Sequence, residues 1–267
     1  MKHLLAVLAV ALLAATASAA SARPSAPPTM HPGTLTVAFG DAAVGFAAGT
    51  VRGNTITNPR GYEVDLAKAI AARLGVRKIS WIYSPWNALF APGTKKFDVS
   101  FQEATITAQR KRTVNFSSSY FNASQGVLLS KKATMPKSLA DLKQMQTCAQ
   151  TNTTGLDWIK TKLHPAKAPL AYPSTTAAFT SVQIGRCDAL ILDVPIVASE
   201  RKANPTKYGP IGGQIVTHEQ YGAVFQKGSK LVAPVDAAIK KLWANGTISR
   251  LQKKWFAIDF TKVPVLK

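Results

Sequence analysis

The chain alternates short apolar segments that are typical of β-strands with amphipathic segments that are typical of helices. Residues 35–39 and 79–83 have the composition of strands, and residues 61–76 between them carry an apolar side chain at every fourth position. A similar alternation returns from residue 126 onward. Strands that alternate with helices favour a sheet covered by helices, so the sequence predicts an α/β fold.

The predicted elements group into two α/β units followed by a returning tail. The first unit ends with the strand-like residues 97–101, and a Gly- and Ala-rich loop is predicted between its first strand and Gly61. The second unit covers residues 126–202, and a strand at residues 221–226 precedes two closing helices. Since open α/β sheets bind ligands at the carboxyl ends of their strands, this order predicts two lobes with a ligand between them.

The N-terminus has the pattern of a secretory signal peptide over residues 1–19. A basic start at Lys2 precedes an apolar run over residues 4–15, and Ala17-Ser18-Ala19 fits an A-x-A cleavage site. The run is too short to span a bilayer. Residues 20–33, rich in Ser, Pro and Ala, are predicted to be a disordered leader. We therefore expect an exported protein, periplasmic or extracellular, with no membrane span.

The excess of basic residues, a formal net charge of +20, raises the question of an anionic partner. Nucleic acid is not expected, because the Lys and Arg residues are scattered in runs no longer than three and no recognised nucleic-acid motif is present. Cys148 and Cys187 lack the spacing of a metal site, so no metal or cofactor is predicted. In an oxidising compartment, such a pair is expected to form a disulfide.

Residues 97–120 combine a strand pattern with groups that suit carboxylate recognition. The strand pattern is followed along the chain by two residues with hydroxyl groups, Thr105 and Thr107, and then by Arg110. A guanidinium offers a rigid fork of donors that matches two carboxylate oxygens. The spacing alone also fits an ordinary strand followed by a solvated basic turn.

The same segment, T-I-T-x-x-R-K-x-x-x-x-F-S-x-x-Y, resembles the signature of the extracytoplasmic amino-acid-binding proteins of ABC importers, solute-binding protein family 3. It departs from the family pattern at Ser119, where Pro is usual, and at Glu103, where a small residue is usual. The segment GYEVDLAKAIAARLGV resembles the first helix of the family, and NGTISRLQKKWF resembles its closing motif. The resemblance covers roughly residues 34–258.

The resemblance implies a type II periplasmic-binding-protein fold, in which two hinge strands join two α/β lobes around a ligand cleft. Lobe one would comprise residues 34–122 and 220–267, and lobe two residues 123–219. The implied function is a monomeric receptor that captures an L-α-amino acid and delivers it to a membrane permease. The alternative is an enzyme that resembles cyclohexadienyl or arogenate dehydratases, which act in the same cleft.

The resemblance also implies the residues that bind the two charged groups of the ligand. Arg110 corresponds to the arginine that binds the carboxylate, and Asp193 to the aspartate that binds the ammonium. The remaining expected contacts are Thr105 beside the arginine, the lobe-two turn Asn152, Thr153 and Thr154, the aromatic Trp86, and, with an uncertain register, Phe46 and Asp41.

Glu103 is the residue on which the expected ligand preference depends. Strand alternation would place it on the same face as Thr105, and a buried carboxylate requires a partner. A cationic ligand side chain would supply one, so cationic amino acids are expected first, polar neutral ones second and acidic ones last. The alternative is that Glu103 pairs with a basic residue of lobe one.

Overall fold

The computed structural model of the protein describes residues 27–41, 43–256 and 258–267. The predicted signal peptide lies outside these ranges, as does the first part of the predicted leader. Within the described part of that leader, the backbone N–H of Met30 donates a hydrogen bond to the Asp98 carboxylate over 2.7 Å. Across the described ranges, no helix combines the length and apolar character that a membrane crossing requires.

The first half of the described chain builds short strands and helices and then one long strand. These elements are β1 (Thr34–Phe39), β2 (Ala48–Arg52), β3 (Thr55–Arg60), α1 (Tyr62–Arg73), β4 (Lys78–Tyr83), α2 (Trp86–Leu89), β5 (Val99–Ser100) and β6 (Val114–Leu129). A 3-10 turn, Arg110–Arg112, lies between β5 and β6.

The second half repeats the alternation and closes with two helices. Its elements are α3 (Leu139–Gln144), β7 (Thr147–Gln150), α4 (Thr154–Trp158), which continues as a π-helical turn (Ile159–Leu163), β8 (Leu170–Tyr172), α5 (Thr175–Gln183), β9 (Ala189–Asp193), α6 (Val194–Ala203), β10 (Ile211–Gln226), α7 (Val232–Ala244) and α8 (Thr247–Trp255). A last 3-10 turn is Phe260–Lys262.

The strands follow the order β2-β3-β4-β1-β5-β10-β6-β9-β7-β8. On one side β1 pairs in parallel with β4 and β5, and on the other β7 pairs in parallel with β8 and β9. The sixteen-residue strands β6 and β10 pair antiparallel in the middle and belong to both sides. The α/β class and the two-lobed arrangement predicted from the sequence are thereby confirmed. We call the β1–β5 side lobe one and the β7–β9 side lobe two.

Four predicted elements differ from the structure. The predicted loop before Gly61 contains the hairpin of β2 and β3, whose side chains are mostly exposed and so give no apolar alternation. The strand expected at residues 97–101 pairs only at Val99–Ser100. The strands β6 and β10 begin about ten residues before the predicted ones, because their polar hinge segments also lack an alternating pattern.

In each lobe, buried helix faces and buried strands hold the residues of the cleft in place. In lobe one, Leu66 and Ile70 of α1 are fully buried, as is Leu35 of β1. In lobe two, every residue of β9 is buried up to its last one, Asp193. A strand buried on both faces is held tightly on all sides, so the side chain at its end is presented at a fixed place.

The predicted disulfide is present in lobe two. Cys148 of β7 is bonded to Cys187, which lies just before β9, and 39 positions separate the two residues. Both cysteines are fully buried. The bond therefore ties together the two strands that lead to the lobe-two turn and to Asp193.

We expect replacement of both cysteines by alanine to lower the free energy of unfolding by about 3–4 kcal/mol, because the bond closes a loop of roughly 40 residues in the unfolded chain. Urea denaturation with and without a reductant measures this. The wild type should lose stability in the reductant and the double variant should not respond. A double variant within 1 kcal/mol of the oxidised wild type would contradict the prediction.

Candidate ligand-binding cleft

A cleft between the lobes contains most of the residues that the sequence singled out. Those that line it are Asp41, Trp86, Glu103, Thr105, Arg110, Thr153, Thr154 and Asp193. Apolar and amide side chains without a sequence signal complete the lining, among them Phe39, Phe101, Gln102, Gln150, Leu192 and Ile196. The cleft thus joins charged groups from both lobes with apolar walls, which is the usual character of a small-molecule site.

Arg110 is a buried guanidinium, with 8% of the residue exposed. Its Nη1 donates to the Thr105 carbonyl over 2.8 Å, and its Nη2 donates to the Asn152 carbonyl of lobe two over 2.9 Å. The guanidinium carbon also lies 5.1 Å from the centre of the Trp86 ring and 4.3 Å from that of Phe90. Burial lowers the pKa of Arg110 to about 10, so it remains charged at neutral pH. Within the described chain, these two hydrogen bonds engage two of its five N–H groups.

Asp193 brings a buried carboxylate to the lobe-two side of the cleft, with 6% of the residue exposed. Gln125 of β6 and Tyr221 of β10 each donate a hydrogen bond to it. Burial is the main reason that its pKa rises to about 7, and the nearby Glu219 carboxylate raises it further. A cation in the cleft would favour the ionised form of this group.

All three side chains of the lobe-two turn already make hydrogen bonds within the protein. Asn152 adopts the left-handed conformation at φ 59°, and its Nδ2 donates to Asn87 of lobe one over 2.7 Å. The Thr153 hydroxyl caps α4 by accepting from the Leu156 N–H, and it donates to the Gln150 carbonyl. Thr153 therefore acts in the structure as the N-cap of α4.

Three of the expected contacts need correction in detail, and the first is Asn152, which does not line the cleft. Phe46 is fully buried in an aromatic cluster, with its ring centre 4.6 Å from that of Phe256 and 5.3 Å from that of Phe121, and it is not part of the cleft lining. Glu103 lines the cleft as expected, but not through strand alternation, because it lies beyond β5 with φ 47°. Asp41 lines the cleft and accepts a hydrogen bond from the Tyr83 hydroxyl over 2.9 Å.

Glu63, a residue that no sequence pattern selected, is the partner of Glu103. It lies in α1 and is 1% exposed, and its Oε1 accepts from the Glu103 N–H over 2.9 Å and from the Tyr120 hydroxyl. Its Oε2 is buried and finds no donor in the described chain unless one of the two carboxyls carries a proton. Burial raises the pKa of Glu63 to about 7 and that of Glu103 well above its usual range.

Among the described residues, neither Glu103 nor Glu63 forms an ion pair with a basic residue of lobe one. The backbone N–H of Glu103 instead donates to Glu63, and burial of the two carboxyls favours their protonated forms. A proton on the pair makes one carboxyl a donor, and a cation nearby would release that proton. The apolar pattern of α1 does not predict that Glu63 is buried. Its burial results from packing against other parts of the folded chain.

We expect Glu63→Gln to reduce the dependence of stability on pH. Because the folded protein binds this proton more tightly than the unfolded chain, the unfolding free energy falls as pH rises from about 4.5 to about 7, and the loss is complete above 7. The variant cannot ionise, so its melting temperature relative to the wild type should be higher at pH 8 than at pH 5.

Thermal unfolding at both pH values measures this difference. Asp65→Asn on the same helix is the matched control, because the pKa of Asp65 is lowered by Lys254 and Trp255, so the group titrates below this range. The control should show the same difference from the wild type at pH 5 and pH 8. If the melting temperatures of Glu63→Gln and the wild type differ by the same amount at pH 5 and pH 8, the raised pKa of Glu63 is contradicted.

Comparison with known proteins places this fold and cleft in a defined family. The model of bacterial extracellular solute-binding proteins, family 3, matches residues 44–258. The glutamine-binding protein GlnH of an ABC transporter of Bacillus subtilis (strain 168) is 32% identical over 204 residues, which are 74% of this chain and 73% of that protein. The protein named probable histidine-binding protein of Neisseria gonorrhoeae is 30% identical over 267 residues, 96% of each chain.

Among solved structures, an ancestral arginine-binding protein bound to glutamine has a TM-score of 0.75 at 30% identity. The alignment covers 85% of this chain and 100% of that one. The family match extends over more than half of the chain, and the two-lobed architecture agrees with it. The chain belongs to the bacterial extracellular solute-binding proteins of family 3.

Proposed function

We propose that the protein is an extracytoplasmic receptor that captures an L-α-amino acid in the interlobe cleft and delivers it to the permease of an ABC importer. The observation that carries this proposal is the pair of buried, opposite charges on the two walls of the cleft, Arg110 from lobe one and Asp193 from lobe two. An α-amino acid presents a carboxylate and an ammonium a short distance apart, so one molecule would satisfy both charges.

The cleft offers further groups that suit such a ligand. The indole N–H of Trp86, which lies in the lining, is buried and makes no hydrogen bond within the described chain. A buried donor without a partner costs free energy that a ligand oxygen would recover. The relatives named above bind amino acids according to their names, which supports the same class of ligand here.

The balance of charge in the lining supports a cationic side chain on the ligand. In the described lining, Asp41, Glu103 and Asp193 are acidic and Arg110 is the basic residue. The α-carboxylate would neutralise Arg110, and the α-ammonium would neutralise Asp193. Two acidic groups then remain, so arginine, lysine or ornithine is favoured, polar neutral ligands come second and acidic ligands last. The surface charge of the protein contributes little, because it is screened beyond about 8 Å.

The alternative function, a dehydratase on the same fold, has one observation in its favour. Glu103 lines the cleft, and burial beside Glu63 raises its pKa, a property that a general acid requires. Incubation with arogenate or prephenate, followed by analysis for an aromatic product, separates the two functions. Formation of product at an enzymatic rate would contradict the receptor proposal.

We further propose that the protein is exported to a periplasmic or extracellular location. We also propose that it is a monomer, and light scattering would test this by measuring its molar mass.

We expect Arg110→Ala to abolish amino-acid binding. A buried carboxylate that loses its charged partner costs on the order of 3–5 kcal/mol, which is more than a hundredfold in Kd. Isothermal titration calorimetry measures the affinity, and circular dichroism checks the fold. Lys111→Ala is the matched control, because Lys111 lies in the same turn and is exposed. An Arg110→Ala variant within threefold of the wild type would exclude the carboxylate role.

We expect the wild type to bind arginine more tightly than glutamine, and glutamine more tightly than glutamate. Glu103→Gln should weaken arginine binding by about tenfold and leave glutamine binding nearly unchanged, because only the cationic side chain loses a charged partner. Calorimetric titrations at pH 8 measure all six affinities. Tightest binding of glutamate by the wild type would overturn the preference, and an unchanged arginine affinity in the variant would remove Glu103 from the site.

A further inference from the structure

Glu219 lies behind the cleft, on the side of the hinge. It belongs to β10, at the position where the pairing with β6 resumes after an irregular stretch that begins at Ile215. Its side chain is absent from the cleft lining and lines a separate pocket on the hinge side, together with Thr105 and Thr154. Those two threonines line both spaces, so they form the wall between Glu219 and the cleft.

The Glu219 carboxylate accepts four hydrogen bonds. Its Oε2 accepts from the Thr105 hydroxyl and from the Thr154 hydroxyl, each over 2.7 Å. Its Oε1 accepts from Gln125 Nε2 over 2.8 Å and from the Thr217 hydroxyl over 2.9 Å. A carboxylate has about four acceptor sites, so this group is fully satisfied inside the protein and needs no ligand.

The two bonds to Oε2 come from opposite lobes. Thr105 follows β5 in lobe one, and Thr154 begins α4 in lobe two. One oxygen atom can hold both hydroxyls only while the lobes are close together, so these bonds stabilise the closed arrangement and are lost when the cleft opens. An interaction made in one of two states shifts the equilibrium toward that state.

The same bonds fix the direction of the two hydroxyls. A threonine hydroxyl has one proton, and both Thr105 and Thr154 donate theirs to Glu219. What remains for the cleft is lone pairs, although one of those on Thr154 also accepts from Gln125 Nε2 over 3.2 Å. These residues would therefore act as acceptors toward a ligand. Donation to the ligand carboxylate is then left to Arg110, the Trp86 indole N–H and backbone N–H groups.

We propose that Glu219 is a positioning residue that fastens lobe one to lobe two from the hinge side and turns the Thr105 and Thr154 hydroxyls into acceptors facing the cleft. The second part of this inference rests on the proposed binding of an amino acid in the cleft. The first part does not, because it concerns the protein without ligand.

The test measures the distance between the lobes and the affinity in the same set of variants. Spin labels on Lys68→Cys in lobe one and Lys160→Cys in lobe two report the distance by pulsed electron resonance, since both sites are exposed and the native cysteines are bonded to each other. Glu219→Gln keeps the size of the side chain but loses its charge. Thr154→Val removes the bond to lobe two without changing the hinge strand.

Without ligand, the wild type should give mainly short distances, and Glu219→Gln and Thr154→Val should both shift the distribution toward longer ones. With saturating arginine, Glu219→Gln should return to the short distance, with a Kd for arginine that is weaker by about tenfold, because fewer molecules are closed before binding. Thr217→Val is the matched control, since it removes a donor to Glu219 that does not connect the lobes, and its distances should equal those of the wild type.

Distances in Glu219→Gln and Thr154→Val that match the wild type would overturn the proposal, as would a shift of the same size in Thr217→Val. Failure of the wild type to bind arginine, glutamine or glutamate would instead count against the proposed function, and the distances without ligand would still decide the role of Glu219.

Discussion

The antiparallel pairing of β6 and β10 is the interaction on which the rest of the structure depends. These strands lie in the middle of the sheet, and they connect two α/β lobes that share no other strand in the described topology. They also carry the side chains that hold the site in place, since Gln125 and Tyr221 donate to Asp193 and Tyr120 donates to Glu63. The two strands that join the lobes therefore also hold the residues of the proposed ligand site in place.

The cleft concentrates ionisable groups that burial makes costly. Arg110 and Asp193 are both nearly inaccessible to water, and the pKa of each is shifted toward its neutral form. Removing such charges from water costs several kcal/mol each, and only a partner of opposite charge offsets this cost. Functional sites commonly carry this kind of unfavourable burial. A zwitterionic ligand would offset it at both groups, which couples binding to closure of the lobes.

Glu63 and Glu219 illustrate how acidic groups outside the cleft lining can still shape a site. The Glu63 carboxyl lies against Glu103 and helps to raise the pKa of that residue, so it affects the charge that Glu103 presents to the cleft. Glu219 accepts hydrogen bonds from two threonine hydroxyls and adds negative potential near Asp193. Glu63 acts on the cleft through Glu103, and Glu219 acts through Thr105 and Thr154. The strength of both effects depends on distances between residues that are far apart in the sequence.

The sequence predicted the α/β class, the two lobes, the disulfide and eight of the residues that line the cleft. It could do so because apolar periodicity is a local property, as in α1 and β9, and because the segment from Thr105 to Tyr120 carries a long, irregular motif. The tertiary structure determines which groups are buried and what they contact, which is why Phe46 lies in an aromatic cluster, Glu63 lies against Glu103, and Glu219 contacts threonines of both lobes. Burial and hydrogen-bond partners arise from contacts between segments far apart in the chain, so no local pattern encodes them.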